Sequence, residues 1–151
     1  MRAYFFANMY LSSIQKGIQT AHVIANMFVK YGEQDTQKSQ MLYDWAAVHK
    51  TIIILNAGYS EEIRNLLYFF SSEQNPFPYA SFNEGQDALD GALTCAGIIL
   101  PEEIYGASKE LREGNGYLAG KGGQGMVYNG YELSQYELEL AQRIDKYGLA
   151  R

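Results

Sequence analysis

The sequence predicts an α/β layer fold with a mostly parallel or mixed sheet, and three observations carry that reading. Apolar runs of strand length recur along the chain, helical periodicities separate them, and two of the runs are continuous rather than alternating. Continuous apolar runs are what strands covered on both faces require, and alternation with helices is the pattern of a layered α/β core. The runs are Ala3 to Ala7 (AYFFA), Thr51 to Leu55 (TIIIL), Tyr79 to Phe82 (YASF) and Leu93 to Leu100 (LTCAGIIL).

Between the first two runs, Ile14, Ile18, Ala21, Ala25, Phe28 and Val29 recur at three- and four-residue steps, giving one apolar stripe on a first helix. Met41, Leu42, Trp45 and Ala46 mark a second helix ending near Val48. In the third, Ser60 reads as an N-cap before Glu61 and Glu62, and Ile63, Leu66, Leu67 and Phe70 form its apolar face. The expected order is strand, helix, helix, strand, helix, strand, strand.

From Gly106 to Gly130 the chain changes character, holding eight of its 15 glycines. Gly120 to Gly125 (GKGGQG) fits the spacing G-x-G-x-x-G. A dinucleotide site needs a strand before it and a helix directly after it, and neither is evident, so a surface loop or lid is expected. Ser134-Gln135-Tyr136-Glu137 is a capping box opening a last helix, with Gly148 fitting a left-handed stop near Tyr147. This helix either packs back on the domain or serves self-association.

With 151 residues, 47% of them apolar and 19% charged, the chain belongs with globular rather than disordered proteins and is long enough for a real core. A net charge of −5 with no run of Lys or Arg disfavours a large nucleic-acid footprint. Cys95 alone cannot form an internal disulfide and reads as a buried thiol. The start MRAYFFANMY lacks a signal-peptide pattern, and no stretch approaches the roughly 18 apolar residues of a membrane span, so a cytoplasmic location is expected. No His, Cys and carboxylate cluster has metal-ligand spacing, so neither a metal nor a cofactor is expected. His49-Lys50 reads as solvent-facing, and Glu84, Asp87 and Asp90, three apart, as either an acidic site or a solvated surface.

From about Tyr4 to Tyr105 the chain resembles the archaeal and eukaryotic type of peptidyl-tRNA hydrolase. There a first strand leads into a helix carrying Lys-x-x-x-Gln-x-x-His, and a later strand into Asp-x-Gly-x-Thr. Gln19 and His22 stand at the Gln-x-x-His positions, Gly85 at the glycine of the second motif, and ALTCAGIILP resembles the last strand. The resemblance implies a small sandwich around a four-stranded mixed sheet over residues 1–105, with residues 106–151 appended. The chain also resembles proteins of tailed phages, which implies the cytoplasm of an infected bacterium. The family lysine falls on Gln15, with Lys16 adjacent but turned away around the helix; the aspartate falls on Asn83 and the threonine on Asp87.

Asn cannot act as a base and Gln carries no positive charge, so both changes weaken hydrolysis while keeping hydrogen-bonding groups. The leading expectation is therefore non-catalytic binding and sequestration of a small nucleotide-derived signal, such as one of a host immune system. Gln15, Lys16, Gln19 and His22 would line one wall and Asn83, Glu84 and Asp87 the other, with Lys16 or His22 as phosphate contact. The alternative is a peptidyl-tRNA hydrolase with rearranged residues, His22 activating water and Asp87 replacing the missing acid. A third reading is an interaction protein using the last helix and the tyrosines. A homo-oligomer is compatible with any of these.

Overall fold

The computed structural model describes residues 1–85, 91–114, 118–119 and 125–150. Asp87, Asp90 and residues 115–117 and 120–124 of the glycine-rich stretch lie outside them. The chain divides into two compact units, Met1–Ile99 with Leu149–Arg151, and Leu100–Gly148.

The first unit is the expected α/β layer. Strands β1 (Arg2–Ala7), β2 (Ile52–Asn56), β3 (Tyr79–Asn83) and β4 (Leu93–Leu100) form a four-stranded mixed sheet in the order β2-β1-β4-β3. β1 and β2 run parallel, from Ala3 opposite Ile52 to Ala7 opposite Asn56. β3 and β4 are antiparallel, with a register shift between Phe82 and Asn83. β4 is buried along its whole length, as its unbroken apolar run requires. Helices α1 (Ser13–Tyr31), α2 (Gln37–Asp44) and α3 (Ser60–Phe70) complete the layer, with one π-helical turn, Trp45–His49, after α2. The core gathers Phe5 of β1, Val23, Met27 and Tyr31 of α1, Leu42 of α2, Trp45, and Cys95 and Ile99 of β4. No helix among the described residues is long and apolar enough to cross a membrane.

On α1 the expected face is reversed. Ile14 is 78% exposed and Val29 84%, with Ile18, Ala21 and Ala25 also open to solvent. The buried side is Lys16, Gln19, Thr20, Val23, Met27 and Tyr31. Both rows have helical spacing. The row against the sheet is polar in its first half because that half faces the end of the sheet rather than its middle.

The cap of α3 also differs. Tyr59 holds the N-cap position, its N–H donating to Glu62 Oε2 at 3.0 Å, while Ser60 is the first helical residue and its hydroxyl donates to Leu93 O at 3.3 Å. Ile63, Leu66 and Phe70 are buried as expected.

The second unit holds α4 (Glu102–Arg112), α5 (Gln135–Asp145) and a three-stranded sheet in the order β5 (Leu118–Ala119), β6 (Gly125–Tyr128), β7 (Tyr131–Glu132). α4 packs on α5 and on β6. The end of the Tyr128 side chain of β6 lies where a Cβ on Gly106 would stand, so a larger residue there would have to displace that ring. The segment after the glycine run is strand β6, not the helix a dinucleotide motif demands. Ser134 does cap α5, its hydroxyl accepting from Glu137 N–H at 3.1 Å while Glu137 accepts from Ser134 N–H at 3.0 Å. The helix ends earlier than expected, at Asp145. Lys146 closes it in right-handed conformation, and Gly148 is not among the left-handed glycines. Beyond it the chain rejoins the first unit, Ala150 N–H donating to Ile54 O at 2.9 Å beside β2.

Cys95 is fully buried. Burial pushes its thiol up to about 12, the nearby Thr20 side chain offsetting part of the rise. Since the thiolate is the nucleophile, Cys95 is expected to resist aromatic disulfide reagents in the native protein and to react at once in denaturant. Unfolding releases this proton between the ordinary thiol value and about 12, so the thiol's contribution to stability falls as pH rises through that window. Native thiol titration with and without denaturant checks the first expectation.

Candidate functional site

The carboxyl ends of β1 and β2, the end of β3 and the start of β4 all meet at one edge of the sheet. β1 ends beside the start of β4, where Asn8 N–H donates to Thr94 O at 2.9 Å. The Asn8 carboxamide then ties three loops together. Its Nδ2 reaches Ser60 Oγ and Leu93 O, each at 3.3 Å, and its Oδ1 accepts from Tyr10 N–H at 3.0 Å. The loops after β1 and β2 are joined directly, Met9 N–H donating to Gly58 O at 2.7 Å. Gly58 has φ of +75°, a conformation that favours glycine. Tyr10 and Tyr59 follow that link by one residue each, and both stand out into solvent, 73% and 60% exposed.

Under these loops lies Lys16. Its side chain is turned onto the sheet-facing side of α1, and the residue is only 6% exposed. Its Nζ donates to Asn56 Oδ1 at 2.7 Å. The other end of that carboxamide, Nδ2, lies 3.5 Å from Leu149 O, which fixes the oxygen towards the ammonium. Among the described residues the Lys16 ammonium meets a neutral amide and no carboxylate.

One turn on, Gln19 Nε2 donates to Glu84 Oε1, joining α1 to the end of β3. Gln19 Oε1 is buried and has no hydrogen-bond partner among the described residues. The same seam continues along α1. The His22 ring stacks on Phe82 at 4.3 Å and 17°, Asn26 Nδ2 donates to Ser81 O at 2.9 Å, and Lys30 Nζ to Tyr79 O at 3.3 Å.

Of the residues the sequence singled out, the structure brings Lys16, Gln19, His22 and Glu84 to this edge. Gln15 does not serve as a wall. It closes a capping box, Oε1 accepting from Ser12 N–H at 2.9 Å while its own N–H donates to Ser12 Oγ at 3.2 Å. Ser12→Ala is therefore expected to cost about 1 kcal/mol of stability, read from the denaturation midpoint, with ligand affinity unchanged. Asn83 braces the hairpin, Nδ2 donating to Gly91 O at 3.2 Å. Asp87 lies outside the described residues. His49 is exposed, and no group of three metal-ligating side chains occurs among the described residues.

Asn8 and Asn56 were not singled out, though a signal existed. Both apolar runs end in asparagine, FFAN and IILN, placing a carboxamide at the carboxyl end of each parallel strand. Crevices outside those ends are where open α/β sheets bind ligands.

No family model matches this chain, and no curated protein matches it.

Proposed function

We propose that this protein binds a compact anionic molecule of nucleotide type at the carboxyl ends of β1 and β2 and holds it without chemical change. The observation that carries the reading is the Lys16 ammonium, buried and opposed by one neutral carboxamide at 2.7 Å. An oxyanion entering this edge supplies the missing countercharge, and burial makes that contact stronger than a surface ion pair. Tyr10 and Tyr59 stand on the two joined loops as flat faces for a base, with Gln19, His22 and Glu84 on the flank. Base stacking on an aromatic ring contributes roughly 1–3 kcal/mol per base.

Retention rather than turnover is supported by what the polar groups are engaged in. Ester hydrolysis needs a water held between a base and an oxyanion donor. Gln15 is engaged in the helix cap and Asn83 in the hairpin. The resemblance to tailed-phage proteins extends the proposal to sequestration of a signal molecule of the infected host.

The test is incubation with mononucleotides, cyclic dinucleotides and nicotinamide-dinucleotide fragments, followed by native mass spectrometry and analysis of what denaturation releases. The reading expects one class retained and recovered intact, with a Tyr10→Ala/Tyr59→Ala protein binding it about tenfold or more weakly. Peptide release from peptidyl-tRNA without retention of any nucleotide would replace binding by hydrolysis.

A further inference from the structure

A second group of cations lies far from Lys16. Lys30 is 14 positions further along α1, roughly 21 Å along the helix axis at 1.5 Å per residue. There an open cleft of about 430 Å³ is bounded by the last turn of α1, the first turn of α2 and β3, and lined by Lys30, Tyr31, Gln34, Thr36, Lys38 and Tyr79. We propose that this cleft is a separate site for the phosphate groups of a small molecule, a pyrophosphate or phosphate monoester held between the ammonium groups of Lys30 and Lys38. The proposal stands apart from the Lys16 site and does not depend on it.

Two positive charges lie by one aromatic ring. Lys30 Nζ sits 3.4 Å from the centre of the Tyr79 ring, and Lys38 Nζ 5.9 Å from the same centre. Neither has an ion pair among the described residues, although acids outnumber cations in this chain. The nearest acids in sequence, Glu33 and Asp35, are exposed on the loop between the helices and pair with neither lysine. The first turn of α2 carries no acid to offset the positive end of the helix. The floor is rigid: Lys30 is held by Tyr79 O, Tyr79 N–H donates to Tyr31 Oη at 3.3 Å, and Gln34 Nε2 donates to Lys30 O at 2.9 Å.

Assembling this arrangement without an anion has a cost that is visible in Lys30. Partial burial, then the charge of Lys38, hold its ammonium down at about 8. A dianion between the two lysines reverses the second effect and favours the protonated form. Near pH 8 its binding therefore draws in a proton. Simple packing of Lys30 on Tyr79 does neither.

The experiment is calorimetric titration of the full chain with inorganic pyrophosphate near pH 8, in buffers of different ionisation enthalpy. Expected are saturable binding that weakens with added salt, proton uptake, and at least a roughly tenfold loss of affinity in Lys30→Gln and in Lys38→Gln. Lys38 is a partly buried residue of α2 outside the core cluster, so its variant tests the site with little effect on the fold. Absence of saturable binding at millimolar pyrophosphate would overturn the proposal. So would equal affinity in both lysine variants, or binding of an oligonucleotide with none of pyrophosphate.

Discussion

Gly97→Val is expected to destabilise the protein by about 3 kcal/mol or more, a large part of the roughly 5–15 kcal/mol that holds a domain of this kind together. Gly97 lies in β4, where a Cβ would stand 2.6 Å and 2.7 Å from two carbons of the Phe5 ring and 3.0 Å from Val23 Cγ1. Phe5 and Val23 are fully buried, so neither can swing aside into solvent. Even alanine must push a ring that is wedged between α1 and the sheet, and valine adds two further methyl groups. Phe5→Leu placed with Gly97→Ala removes part of that clash. The pair should lose less stability than the sum of the single changes, by about 0.5–3 kcal/mol. Denaturant unfolding of the four proteins reads the cycle. Strict additivity would mean that β4 does not press on Phe5.

Lys16→Met is expected to separate binding from stability. Among the described residues the ammonium meets one neutral amide and no carboxylate, so an apolar side chain of similar length gives up no ion pair there. Stability should hold or rise, while affinity for the anionic ligand falls at least about tenfold with the lost charge-assisted contact. Asn56→Ala should act differently. It leaves the ammonium without its partner at 2.7 Å, and a buried donor so stranded costs about 1–3 kcal/mol. The thermal midpoints of the two variants should therefore move in different directions.

The layer fold was legible because apolar runs of strand length recur along the chain and the helices between them are periodic. α1 shows where periodicity stops being informative. It carries two apolar rows, Ile14, Ile18, Ala21, Ala25 and Val29 on one, Val23 and Met27 on the other. The first is longer and reads as the core face, yet the second is buried. Near the sheet's end the core face must carry Lys16 and Gln19, and those polar residues depress its apolar signal. The polar residues of the candidate site thus disguise the buried face of the helix.

Gln15 has a second role that the motif spacing obscures. Its position in the Lys-x-x-x-Gln-x-x-His pattern drew it into the site, while Ser12-x-x-Gln15 is itself a capping box that local backbone groups claim first. Asn56 could not be paired with Lys16 from sequence, since 40 residues separate them and only the parallel register of β1 and β2 brings them together.

The central claim is that an anion of nucleotide type sits on Lys16 and stays intact. Its most direct test is parallel native mass spectrometry of the unaltered protein and Lys16→Met, each exposed to the same small-molecule extract of phage-infected cells. The account predicts added mass of an unbroken nucleotide on the former and none on the latter. Equal loading of both proteins, or recovery of a cleaved product, would contradict it.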